Sequence, residues 1–210
     1  MAQKGTPGQR DGVTTTPRNI VKSYTPPPRY IPVTLDATYC YDGSQATGKE
    51  RRMRAGIPLA KLSTGLWVPV KRTRVNGTSG AVTEVVVDDA RFFEVGDVIT
   101  IGSDTTISIT AINYATNTLT IASTTVADND QVFCEVAGIA SARAILNEFV
   151  DMVDKDDNTA RDRSISHALI EGYVDASMVL GDLDVIRNPD TNDGTHYIDG
   201  ILFDDESGGA

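Results

Sequence analysis

A chain of 210 residues, 40% hydrophobic and 23% charged, has the length to bury its own core and the composition of an ordinary soluble protein. Its charge is unevenly placed: residues 1–80 hold 13 Lys/Arg against 4 Asp/Glu, and residues 81–210 hold 6 against 25, within a net charge of −10. No run approaches the roughly 18 apolar residues of a membrane helix, and no apolar stretch follows the first charges, so the expectation is no membrane partner, no secretory signal and synthesis in a cytoplasm. A basic front and an acidic body suggest a chain that grips an acidic surface with one end, which suits a binding or structural protein better than an enzyme.

Residues 1–35 read as an extended arm. They carry Lys4, Arg10, Arg18, Lys22 and Arg29 against Asp11, with few aliphatics before Ile31. Pro26, Pro27, Pro28 and Pro32 fix φ and remove backbone donors, which favours a polyproline-like path. An arm of this kind orders on a partner, with Tyr24, Tyr30, Ile31 and Val33 as apolar anchors and its arginines on partner carboxylates. Two basic clusters follow, Arg51, Arg52 and Arg54, then Lys71, Arg72 and Arg74. They raise the question of nucleic acid, but the acidic body repels phosphate, aromatics are only 6%, and no nucleic-acid module signature is present.

Strand signals begin near Ile57. Ile57 to Leu62, a turn at Ser63–Gly65 and a return over Leu66 to Val70 make a hairpin, with Trp67, the only tryptophan, as a core anchor. Residues 75–137 read as an inserted β module of about five strands. Its clearest hairpin places Ile107, Ile109 and Ala111 on one face opposite Leu119 and Ile121. Gly77 and Gly80 mark its entry and Gly138 its exit. Positions 141–153 suit a helix by spacing and a buried strand by composition. Ser164 to Asp175 alternates as a strand containing His167, and Tyr197 to Phe203 is a last strand before an acidic tail.

Chemistry is sparse. His167 and His196 are the only histidines, and no nucleophile elbow, phosphate-binding loop or paired-histidine metal motif accompanies them. Asp154-Lys-Asp-Asp-Asn158 resembles the opening of a calcium loop but has Thr159 and Ile165 where that loop needs glycine and an acid. Asp190 to Gly194 is a turn first. Cys40 and Cys134 match no paired ligand or redox spacing and read as reduced, buried thiols. Neither a catalytic residue, a metal site nor a cofactor is nominated.

Arg54-Ala-Gly-Ile-Pro-Leu-Ala-Lys-Leu-Ser-Thr-Gly-Leu-Trp-Val-Pro69 resembles the opening hairpin of the head decoration proteins of tailed bacteriophages, the lambda decoration protein family. Ala144 to Asp151, Ile165 to Ala176 and Asp199 to Asp204 are similar to that family's later segments, in the same order. The resemblance implies a mostly-β, small barrel or sandwich-like decoration fold over residues 36–74 and 138–210, with an N-terminal arm at 1–35 and the β module at 75–137 as an addition. It also implies a strand at Ala144–Phe149. By the same resemblance the protein is a homotrimer on the outer capsid surface that cements major capsid subunits against internal DNA pressure. The arm, with Tyr24, Pro26, Pro27, Pro28, Arg29, Tyr30, Ile31 and Val33, and the cluster Arg51, Arg52 and Arg54 then face the shell. The trimer contact would cover the Trp67 region and C-terminal apolar surface. The alternative is a carbohydrate- or receptor-binding β module of a fibre or tail, which an exposed aromatic platform on residues 90–137, involving Phe92, Phe93 or Tyr114, would support.

Overall fold

The computed structural model describes residues 20–23, 27–45, 48–181 and 201–204. In chain order the first strands are β1 (Val21–Ser23), β2 (Arg29–Leu35), β3 (Arg52–Met53), β4 (Pro58–Lys61), β5 (Trp67–Pro69) and β6 (Arg72–Arg74). There follow β7 (Gly80–Val86), β8 (Val98–Ile101), β9 (Asp104–Asn113), β10 (Thr118–Val126) and β11 (Gln131–Cys134). The last are β12 (Ala142–Leu146), β13 (Val150–Asp151), β14 (Arg163–Asp175) and β15 (Ile201–Asp204). The fold is mostly β, as the sequence suggests, and the described residues contain no α-helix, only a 3-10 turn at Ala176–Met178.

Five of these strands close on themselves. β14 pairs with β12, β12 with β4, β4 with β5, β5 with β2, and β2 returns to β14, so no edge is left in the ring. Both faces of this wall are buried. Leu59, Trp67, Ala144, Leu146, Ile165, Val33 and Leu35 gather in one cluster, and Ala60, Val68, Ala142, Ile145 and Leu169 in another. Double burial explains the ambiguity at 141–153. A strand apolar on both faces loses its period of two and imitates helical spacing, and the segment resolves as β12 and β13.

The expected arm does not extend to residue 35. Arg29–Leu35 is a wall strand, with Val33 and Leu35 buried, and further upstream Ile20 and Val21 are buried against β14. Alternation over Tyr30-Ile31-Pro32-Val33-Thr34-Leu35 supplies the strand pattern that the prolines obscured. Pro32 has no N–H to give, and the β2–β14 register shifts between Ile165 and Ala168, directly across from it. Tyr24 and Pro26 lie outside the described residues.

The second sheet runs β6-β11-β8-β9-β10-β7 and curls until Val75 and Val87 bridge its two ends. Its core holds Val85, Phe93, Ile99, Ile101, Ile107, Ile109, Leu119, Ile121 and Val132. The β9–β10 hairpin forms where expected, but Ala111 is exposed and Ile112 packs inward instead. The cause is a register shift between Thr120 and Ile121, which reverses the faces beyond it.

The two sheets share their cores. Phe93 belongs to the module's cluster, while its neighbour Phe92 inserts among Leu35, Leu59 and Trp67 of the barrel. Cys134, at the end of β11, packs into the barrel's other cluster. Both cysteines are free thiols and buried.

Glycine is required where chains touch. At Gly56, φ is +96° and an added Cβ would lie 2.1 Å from the Met178 carbonyl oxygen, whereas Gly65, at φ +90°, faces open space. Both alanine variants incur backbone strain, and only Gly56→Ala adds a backbone clash. Gly56→Ala is expected to destabilise by well over the roughly 1 kcal/mol of a strained position, and by more than Gly65→Ala in chemical denaturation of both.

Candidate functional site

Arg51, Arg52 and Arg54 do not form an outward basic patch. Arg51 donates through Nη1 to the carbonyls of Ala37, Thr38 and Cys40 at 3.1–3.2 Å, and through Nη2 to Glu94 at 2.8 Å. Its guanidinium also lies 5.2 Å from the Tyr41 ring centroid. Arg52 pairs with Asp151 at 3.2 Å, both side chains under a tenth exposed, in the two-stranded β3–β13 ribbon. Arg54 donates to Asp42 at 2.7 Å, and the Asp42 side chain is fully buried. Each charge answers an acid of this same chain.

The second cluster goes further inward. Lys71 is completely buried between the sheets, and its ammonium meets both Asp97 oxygens at 2.9 and 2.7 Å, with Glu94 at 3.8 Å and the Tyr39 ring centroid at 5.7 Å. Asp97 also accepts the backbone N–H of Glu94 at 2.8 Å, so the carboxylate is fixed before the lysine arrives. Arg72 donates to Gln131 at 2.6 Å and Arg74 to the Asn129 carbonyl at 3.3 Å. Around this layer, Tyr114 donates its hydroxyl to the Phe93 carbonyl at 2.9 Å and presses its ring on Gly43, where a Cβ would sit 2.2 Å from it. The charge partition read along the sequence is therefore partly an internal one. Arg51 and Lys71 neutralise Glu94 and Asp97 across the junction.

Burial tunes the titratable groups here. Desolvation raises Glu94 above its usual carboxylate range, with the Lys71 and Arg51 charges opposing it. Burial also holds the Cys40 and Cys134 thiols up, which removes thiolate chemistry from both.

His167 sits on the outside of β14 with more than half its side chain exposed. Ser166 Oγ lies 2.9 Å and Glu148 3.5 Å from the same ring nitrogen, Nδ1. A serine–histidine–acid relay needs nucleophile and acid on opposite nitrogens, so this trio is no relay. Its ring meets Tyr30 edge-on at 5.7 Å, a cross-strand contact between β14 and β2. The Asp154 loop is self-contained: Arg161 pairs with Asp157 and Asp154, and Asp157 is pulled down to about 2 by the Thr159 side chain and backbone and by Arg161. Among the described residues no three His, Cys, Asp or Glu side chains converge as metal ligands. His196 and the Asp190–Gly194 turn lie outside the described residues.

Among the anchors proposed for the arm, Val33 is buried and Tyr30 and Ile31 pack on the barrel clusters. Arg29 is exposed and pairs with Glu171 at 2.8 Å, Pro27 is exposed and Pro28 half-buried. Trp67 is only 7% exposed within its own barrel, so little of it is left for a trimer contact to cover. The sequence reading marked Lys71 as part of a basic cluster but missed its pairing with Asp97 and Glu94, because nothing local announces that a lysine after Val68-Pro69-Val70 meets an aspartate 26 residues on. Comparison with family models, with curated proteins and with solved structures finds no match in any of the three.

Two outcomes follow for the junction. Lys71→Met leaves Asp97 without its cation and Glu94 with Arg51 alone, and is expected to cost about 3–5 kcal/mol. The double variant Lys71→Met/Asp97→Asn should lose distinctly less than the sum of the single losses, which a double-mutant cycle by urea denaturation measures. For Glu94, a folded-state value above the unfolded one means the folded state holds the extra proton. Its contribution is present below about pH 4.5 and is lost as pH rises through the raised folded value. Glu94→Gln should flatten that fall in a stability–pH profile.

Proposed function

We propose that this chain is a structural virion protein of the head decoration class. It binds the outer capsid surface as a trimer and cements neighbouring major capsid subunits without catalysis. Support comes from the ordered segments that resemble that family and from the closed barrel to which most of them give strands, with Ala144–Leu146 in β12 where the resemblance implies a strand over Ala144–Phe149. The observation that carries the reading is the root of the basic N-terminal segment. Ile20 and Val21 are 0% and 4% exposed against the barrel, so the basic sequence before them, with Lys4, Arg10 and Arg18, joins the fold at a buried point.

With the clusters at 51–74 committed to internal pairs, shell binding falls to residues 1–19, and Arg29 alone of the expected contacts is a largely exposed cation, itself paired with Glu171. Trimeric loading would make several weak contacts act together. The receptor-binding alternative gains nothing from the geometry: Phe92 and Phe93 are buried, and the Tyr114 hydroxyl is bonded to a backbone carbonyl. Nor is the module 75–137 separable, since its removal would uncover the pocket filled by Phe92 and strip Lys71 and Arg51 of their acids.

Co-sedimentation with empty expanded capsids is the test. Deleting residues 1–19 should abolish binding and leave the β signature in circular dichroism intact, with full-length protein bound in threes. Deleting residues 1–30 should also unfold the barrel, because it removes β1, two residues of β2 and two buried aliphatics that contribute about 1.5–3 kcal/mol each. Unchanged binding by the shorter deletion rejects the arm, and a protein monomeric both in solution and on shells rejects the trimer.

A further inference from the structure

Between the two sheets a lysine amine, a carboxyl carbon and a second acid meet largely out of water. Lys71 is 0% exposed, and its Nζ lies 2.9 Å from Oδ1 and 2.7 Å from Oδ2 of Asp97. Cγ sits between those oxygens, which brings it to the roughly 3–3.5 Å of a near-attack geometry. Glu94 turns Oε2 toward the same nitrogen at 3.8 Å, while Arg51 holds its other oxygen, Oε1, at 2.8 Å.

The backbone fixes both reacting groups. Lys71 donates its N–H to the Ile139 carbonyl and accepts the Cys134 N–H, each at 3.1 Å. Asp97 donates its N–H to the Glu94 carbonyl at 3.1 Å and accepts the Ile109 N–H at 3.0 Å. The Glu94 N–H in turn donates to Asp97 Oδ2 at 2.8 Å, where negative charge would grow if Cγ were attacked. A structural ion pair requires only the lysine and the aspartate. An acid aimed at the amine and an N–H aimed at one carboxylate oxygen are what a condensation requires in addition.

We infer that Lys71 and Asp97 condense into an intramolecular isopeptide bond, with Glu94 carrying the proton between nitrogen and leaving oxygen. Burial favours the reactive forms, because two poorly solvated charges are relieved when the ammonium returns a proton to Oδ1 and leaves a neutral amine beside a neutral acid. Nζ then attacks Cγ, and the oxyanion forms on Oδ2 against the Glu94 N–H. Glu94 Oε2 takes a second proton from the nitrogen and delivers it to Oδ1. The Cγ–Oδ1 bond breaks, Oδ1 departs as water, and Oδ2 becomes the amide carbonyl. Ammonium and carboxylate become amide and water, Glu94 ends as it began, and no co-reactant is consumed. Desolvation raises Glu94 above its usual range, which makes it a better proton acceptor for this step. The reaction runs once per chain and stands apart from the capsid reading. Its product ties the end of the opening hairpin covalently to the turn before β8.

Mass spectrometry of the denatured full-length protein tests it. The expected intact mass is one water below that of the sequence, and a tryptic digest should yield a single branched peptide joining residues 62–72 to residues 92–143. Lys71→Met and Asp97→Ala should each restore the full mass. In Glu94→Gln, with its fold checked by circular dichroism, the linked fraction should fall at least about tenfold. Glu94→Asp, which keeps a carboxylate, should recover part of it. The wild-type digest decides the bond whether or not a variant folds. Wild-type protein at its full mass would mean an ion pair only and would overturn the proposal. So would a water loss that maps to an aspartate–glycine succinimide such as Asp42-Gly43. A linked fraction unchanged in Glu94→Gln would remove Glu94 from the chemistry.

Discussion

A lysine with no solvent contact, held between two sheets by an aspartate, organises this molecule. Removing a charge from water costs several kcal/mol, and only well-placed counter-charges and hydrogen bonds offset it. Lys71 can therefore be buried only where Asp97 presents both oxygens, and Asp97 is fixed there by the backbone of Glu94. Lys71 follows the last strand of the opening hairpin, while Asp97 precedes β8 of the second sheet. Their pairing sets how the inserted module sits on the barrel. Arg51, bridging the 37–40 turn to Glu94, repeats the constraint from another direction. Apolar packing supplies the bulk of the adhesion through Phe92 and Cys134, but it is non-directional. The ion pairs choose one geometry among those that packing would tolerate.

The unequal distribution of charge thus has two meanings in one chain. At Arg51 and Lys71 it records an interface inside the molecule, with cations from the barrel side and the acids Glu94 and Asp97 from the module. Before residue 20 it records a basic segment whose root is buried in the barrel. A sum over sequence windows cannot separate these, because pairing depends on which strands become neighbours. Proximity in the chain is a poor guide to proximity in the fold.

The sequence carried element type well and partnership poorly. Hairpins at 57–70 and 106–121 were legible because β-branched runs bracketed turn residues with glycine or asparagine. Ala111 was misassigned to the buried face because a bulge at Thr110 in its own strand, invisible in local alternation, reversed the register. β2 was hidden for a different reason. Three prolines ahead of it and Pro32 within it mask a sound alternating pattern, and a barrel strand tolerates Pro32 only because β14 bulges opposite. Trp67 was readable as a core residue from its hairpin context. The arginine cluster was not readable as a set of internal pairs, since Asp42, Glu94 and Asp151 come from three separate parts of the chain.

The closure of the barrel also sets an order of events during synthesis. β2 meets β5 soon after both emerge, yet its longer partner is β14, with Leu35 opposite Arg163 and the whole module between them. At about 5–20 residues per second, the first wall strand waits on the order of ten seconds for its neighbour. Through that interval one of its edges is open to any other extended chain. The module, whose strands mostly pair with near neighbours in sequence, can close in the meantime. An insertion that looks like an addition in the finished protein is, on the ribosome, the part that forms while the barrel is still incomplete.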